Sequence, residues 1–156
     1  IERRGLSERV RMHGYVDEET KAELYGRAWV NLTASQSEGW SLTVMEAALC
    51  GTPSAALAVG GLAESIVDGE TGFLARDTPE LTERVQRLVG DSELRERFGA
   101  AALARASTFT WDRSARAFLD VLRGVAGWPP LAQVEQAPVS LNGYGHEHER
   151  TAAENH

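Results

Sequence analysis

An α/β fold with a parallel sheet is the class this sequence predicts, on three observations. Short apolar runs of strand length occur at Val10–His13, Trp29–Ala34, Ser54–Val59 and Gly72–Ala75. Segments with helical period and capping signals separate them, and strands alternating with helices read as parallel βαβ units. The composition can fill a core: of 156 residues, 42% are hydrophobic and 25% are charged.

The helices follow in order. Asp17 is an N-cap for a helix reaching about Ala28, with Ala22, Tyr25 and Ala28 on one face. A second helix covers about Leu42–Cys50, with Leu42, Met45 and Leu49 at i, i+3, i+7, and a short one runs from Gly61 to Ile66. Thr78-Pro79 caps and starts the next, whose stripe is Leu81, Val85, Leu88 and Val89 and which Gly90 ends. Asp91 or Ser92 opens another, with Leu94, Phe98, Ala101 and Ala102 inward. A last helix spans about Asp112–Arg123, with Ala115, Phe118, Leu119 and Leu122 on one face. Each stripe reads as core packing.

Near Trp128 the composition changes. Residues 129–156 hold three of the five prolines and three of the four histidines, with few aliphatics. This is the pattern of a disordered polar tail, which buries too little apolar area to offset the entropy of ordering. His146 and His148, beside Glu147 and Glu149, read as solvated tail residues before they read as metal ligands. The organisation expected is an ordered unit over 1–128 and a tail over 129–156.

Several function classes are disfavoured. No apolar run approaches the roughly 18 residues of a membrane-spanning helix. A net charge of −7 and a pI near 5.1 oppose a nucleic-acid footprint. Cys50, the one cysteine, leaves no internal disulfide or cysteine-based zinc cluster. The start Ile1-Glu2-Arg3-Arg4 has no signal-peptide core behind it and no Met, so a longer parent chain is expected. Arginine supplies 15 of 16 basic residues, the usage of a GC-rich bacterial genome.

Chemistry concentrates in Ser35-Gln36-Ser37-Glu38-Gly39-Trp40-Ser41-Leu42, which joins a strand end to a helix start. Ligands of open α/β sheets bind outside the carboxyl ends of strands, and a helix N-terminus there offers N–H groups to phosphate or sugar oxygens. Gly39 permits close backbone approach, and Ser41 can cap the helix or donate to an oxygen. Glu46 is the one charged residue of Leu42–Cys50 and must face a polar partner or a cleft. A carboxylate accepts two hydrogen bonds from a vicinal diol, as ribose or hexose presents. Glu38, in the loop, can reach hydroxyls nearer the helix start. The plainer reading pairs Glu46 with a structural arginine and leaves Glu38 solvated. An acid–base pair of the glycosidase kind is also open, because spacing alone leaves the distance between the carboxylates undetermined.

The spacing Glu38-x7-Glu46 resembles the signature of retaining glycosyltransferases of the GT-B fold, family 4. Val10-Arg11-Met12-His13-Gly14-Tyr15-Val16 is similar to that family's strand and Gly-aromatic-Val turn. Ala28–Ser35 resembles the strand leading into the Ser-x-x-Glu-Gly loop. Glu46-Ala47-Ala48-Leu49-Cys50-Gly51-Thr52-Pro53, Gly60–Leu74 and Phe109-Thr110-Trp111-Asp112 match further motifs, so the likeness covers about residues 3–123.

The resemblance implies the nucleotide-sugar side of a two-domain enzyme: a partial Rossmann-like C-terminal domain with flanking helices and a C-terminal helical segment. Its first strands, its basic phosphate-binding residues and the N-terminal acceptor domain would lie before Ile1. Glu46 would bind the ribose. Glu38, with Gly39, Trp40, Ser41 and Leu42, would hold the donor sugar and approach the diphosphate; the family often has Gly where Ser41 stands. Gly14, Tyr15 and Val16 would contact the base. The reaction implied moves a glycosyl group from a nucleoside-diphosphate sugar to an acceptor hydroxyl with retention. No metal or cofactor is needed, no nucleic acid takes part, and the setting is cytoplasmic, with the inner membrane face open to it. This chain alone would then bind donor weakly or not at all. A noncatalytic remnant serving as a nucleotide-sugar-binding or interaction module is the competing expectation.

Other features have plain readings. Gly60-Gly61 suits a cleft lining or a turn equally, as Glu64 suits cleft or surface. Asp68-Gly69-Glu70-Thr71-Gly72 reads as a turn rather than a calcium loop. His13 reads as a packed strand residue and Cys50 as a buried thiol.

Overall fold

Small residues make the centre of the sheet. The computed structural model describes residues 1–129, and three parallel strands stand in it in the order β1 (Asn31–Thr33), β2 (Ser54–Leu57) and β3 (Gly72–Ala75). The register pairs Leu32 with Ala55 and Ala55 with Phe73. Successive strand residues point to opposite faces, and Ala55 and Ala56, both fully buried, face two different cores. On one side Ala56 meets Val44, Met45, Leu62, Ile66, Ala102 and Ala106; on the other Ala55 meets Phe73, Leu81, Leu88, Leu94 and Phe98. Covering a parallel sheet on both faces leaves its central strand no polar side, so small apolar residues fit there.

The helices are α1 (Glu18–Arg27), α2 (Leu42–Leu49), α3 (Leu62–Ser65), α4 (Thr78–Gly90), α5 (Ser92–Ala106) and α6 (Trp111–Val125). Asp17, Asp77, Asp91 and Thr110 cap α1, α4, α5 and α6, each accepting from a backbone N–H three residues on. Asp77, rather than Thr78, is thus the cap of α4. Between α4 and α5 the Arg95 guanidinium donates to the Leu88 and Val89 carbonyls, both at 2.8 Å, satisfying the end of α4. α5 reaches both cores, with Leu94 and Phe98 in one and Ala102 and Ala106 in the other. Its Gly99 lies against the Gly51 carbonyl, where any Cβ would overlap.

Several expectations change. The α1 stripe of Ala22, Tyr25 and Ala28 is half-buried with none of its residues in the core, and Val89 of α4 is exposed. Val10–His13 is not a strand; the segment is exposed coil, and His13 is exposed rather than packed. A strand forms only where a neighbour supplies ladder hydrogen bonds, and none of the described strands lies beside it. The α2 stripe is rotated: Val44, Met45, Ala47 and Ala48 are buried while Leu42 and Leu49 are exposed. Finally, α6 packs none of its residues into the core, and Phe118, Leu119 and Leu122 lie open. Its apolar face is real, but amphipathicity says nothing of what covers such a face. The polar tail and its His146 and His148 lie outside the described residues.

Leu88 and Leu122 separate core from open face by measurement. Leu88→Ala should lower urea-unfolding stability by about 2–5 kcal/mol, since it empties a packed site. Leu122→Ala should change it by less than about 0.5 kcal/mol. Equal losses would return α6 to the core.

Candidate functional site

Parallel pairing brings the loops after β1 and β2 to the same edge of the sheet. The loop after β1 runs through Ser35–Ser41 into α2, and the turn after β2 runs through Val59–Gly61 into α3. They touch backbone to backbone: the Gly61 N–H donates to the Glu38 carbonyl at 2.8 Å. A Cβ at Gly61 would overlap the Gly39 carbonyl oxygen, and one at Gly60 would overlap that of Glu38. Gly61 has an ordinary helical φ of −67°, so the close approach alone demands glycine there. Gly60-Gly61 is therefore the seat of the Glu38–Trp40 loop.

Trp40 leans on the Phe109 ring, centroids 5.1 Å apart and planes inclined by 60°. Ser41 holds the N-cap position of α2 but does not cap it with its side chain; its buried hydroxyl pairs with that of Thr43 at 3.1 Å. The first amides of α2 therefore keep no side-chain acceptor of their own and face the sheet edge with the positive end of the helix. Leu42 follows, exposed, and Glu38 is half-buried.

Glu46 stands one turn further into α2, facing α1. Its Oε1 accepts from the Lys21 ammonium at 2.9 Å, and the same ammonium donates to Glu18 at 2.8 Å. The expected structural partner was an arginine; the chain's one lysine takes the place instead. Hydrogen bonds to Glu18 and then to Glu46 push the Lys21 pKa well above its usual value. Tyr25, one helical turn on, also faces Glu46, and burial, then the Glu46 charge, raises its phenol. The same two causes raise Cys50, which is half-buried at the end of α2 and stays a thiol. A carboxylate has about four lone-pair sites, so one ammonium leaves acceptor capacity on Glu46 for a diol.

Not every expected residue joins this cluster. Tyr15 is 99% exposed, its ring in solvent, although Gly14 turns the chain with φ +65° and Val16 is half-buried before Asp17. Glu64 is exposed and contributes its carbonyl, to Arg105, rather than a carboxylate. The Asp68–Gly72 stretch is a turn: Gly69 has φ +76° and the Asp68 carboxylate accepts from Leu74 N–H at 2.9 Å. Among the described residues no three acidic, histidine or cysteine side chains gather as a metal set. Lys21, Tyr25, Arg105 and Phe109 escaped the sequence reading as members of the site. The one signal was that the single lysine shares a helix face with Tyr25.

The family described as glycosyl transferases group 1 matches this chain over residues 1–105. The chain belongs to that family. It is 42% identical over 121 residues to the D-inositol 3-phosphate glycosyltransferase of Streptomyces griseus, covering 76% of this chain and 26% of that protein. Among solved structures it resembles the sucrose-phosphate synthase of Thermosynechococcus elongatus, with TM-score 0.73 and 31% identity over 81% of this chain and 32% of that one. It also resembles Anabaena HepE in complex with UDP and glucose, with TM-score 0.71 and 25% identity over 79% of this chain and 34% of that one. The chain thus spans about a quarter of its curated relative, and its fold is the GT-B α/β arrangement expected. No helix among the described residues is long and apolar enough to cross a membrane.

Two measurements check this geometry. Gly→Ala at a position of ordinary φ stabilises by about 0.4–1 kcal/mol when space allows, as it should at Gly90, which has nothing within 4 Å of a Cβ. Gly61→Ala should instead destabilise, by roughly 1–3 kcal/mol from overpacking; a gain in unfolding midpoint would show that the loop does not sit on Gly61. A double-mutant cycle of Lys21→Met with Glu46→Gln should return a coupling of about 0.2–1 kcal/mol, as for partly exposed ion pairs. Zero coupling would separate the pair.

Proposed function

We propose that this chain supplies the donor-binding half of a retaining glycosyltransferase, which moves a glycosyl group from a nucleoside-diphosphate sugar to an acceptor hydroxyl. The observation that carries the reading is the placement of Glu46 one turn into the helix that the Glu38–Leu42 loop opens, with its carboxylate held by Lys21. The complex of HepE with UDP and glucose supports a nucleotide-sugar donor.

In this proposal Glu46 accepts hydrogen bonds from the two ribose hydroxyls, while Lys21 holds the carboxylate in place. Glu38 and the backbone of Gly39, Trp40, Ser41 and Leu42 hold the sugar and approach the diphosphate. Gly14, Tyr15 and Val16 line the base, a role that requires Tyr15 to leave solvent when donor binds. Departure of the diphosphate leaves positive charge on the sugar ring and adds negative charge to the leaving oxygens. In this proposal the α2 amides face the leaving diphosphate, and fixed dipoles aimed at a developing charge lower the barrier without reorganising. No metal or cofactor is required of this half. A noncatalytic module would show the same binding and no transfer.

Titration calorimetry of the full-length protein with UDP and UDP-glucose tests the reading. Hydrogen bonds to a charged carboxylate contribute about 1.5–3 kcal/mol, so Glu46→Gln should weaken binding roughly tenfold to a hundredfold. Its unfolding midpoint should stay near that of the parent. Unchanged affinity removes Glu46 from the ribose role.

A further inference from the structure

Two contacts hold the Glu38–Ser41 loop in place. One anchor of the loop is the Trp40 ring on Phe109, and the other is the Gly61 N–H on the Glu38 carbonyl. Both run back to Arg105 near the end of α5. Its guanidinium lies 5.5 Å from the Phe109 ring centroid, and its Nη2 donates to the Glu64 carbonyl at 2.6 Å. Glu64 belongs to α3, the helix that Gly61 opens, and the Ser65 hydroxyl ties the same turn together by donating to the Gly61 carbonyl at 2.9 Å. One planar cation therefore joins the two supports of one loop.

We propose that Arg105 and Phe109 are positioning residues for this loop, setting where its backbone stands for a donor sugar and diphosphate. The functional part of the proposal rests on the reading of the loop as a donor site. Two features separate this brace from ordinary packing. Trp40 and Phe109 are 37% and 46% exposed, so their contact lies at the surface and adds little to the core. The Arg105 Nε is buried without a hydrogen-bond partner. An orphaned buried donor costs stability, and an apolar chain of like length would fill that space without the cost. What only the guanidinium supplies is a fork that reaches a carbonyl while its face lies on a ring.

The test reads amide hydrogen exchange by NMR in the full chain without ligand, for the parent, Phe109→Ala, Phe109→Tyr and Arg105→Met. Loss of the ring pair should speed exchange at the Gly61 amide roughly threefold to tenfold in Phe109→Ala, and Arg105→Met should speed it as well. The Asn31 and Ala58 amides, bonded to Pro53 and Ala75 in the sheet, should keep their rates. Phe109→Tyr should restore protection. An unchanged Gly61 rate, or a rise shared with Asn31 and Ala58, overturns the positioning role. In a parallel titration of the full-length protein and the same variants, UDP-glucose affinity should fall with Gly61 protection. Parent affinity in Phe109→Ala despite a loosened Gly61 overturns the functional part. If the full-length protein itself fails to bind UDP-glucose while Gly61 loosens as expected, the donor reading falls and the brace stands.

Discussion

Everything in this structure hangs on a central strand thin enough to be packed from both sides. Ala55 and Ala56 are fully buried in opposite directions. Their small side chains let α2, α3 and α5 close on one face of the sheet while α4 and α5 close on the other. A larger residue at either position would push one helical layer away, since interiors this dense transmit any added volume. The site follows from the same strand. Parallel pairing on each side of β2 makes the chain leave β1 and β2 at one edge, so the loop after β1 meets the turn after β2.

That meeting is made by backbone rather than by side chains. The Glu38 and Gly39 carbonyls rest on Gly60 and Gly61 with no room for a Cβ between them. The loop consequently carries Trp40 outward to Phe109 and delivers the start of α2 to the sheet edge. Glu46 is placed by a different constraint. Its helix buries the Val44–Ala48 face against the core, which turns Glu46 the other way, toward α1, where Lys21 and Tyr25 meet it. A carboxylate held by an ammonium in a half-buried place stays oriented, as the proposed diol-binding role needs.

Legibility differed by element for physical reasons. The Asp17 and Asp91 caps act on amides three residues away, so those helix starts could be read from neighbours in the chain, and the cap of α4 was read one residue late. The residues of β3, Gly72–Ala75, were read as they stand, because turn signals bound that run on both sides. Val10–His13 looked the same by composition yet forms no strand, because a strand needs a partner and not only a pattern. The α6 stripe of Phe118, Leu119 and Leu122 was read as core because periodicity reports a face without its cover. In the site, Glu38 and Glu46 stood out as acids among small and apolar residues. Lys21 and Phe109 did not, being 25 and 69 positions from Glu46 and Trp40; an isolated lysine in a helix and an aromatic before a cap have common, plainer roles.

By itself, then, the amino-acid order determined the α/β class, most helix starts, and the loop and acid proposed to carry the chemistry, because each depends on spacing within a few residues. Only the tertiary structure decided that Glu46 pairs with Lys21, that Gly61 seats the Glu38 loop, that Arg105 braces it through Phe109, and that α6 stays outside the core. Those four facts join elements distant in the chain, and such contacts exist only after the sheet has brought its loops to one edge.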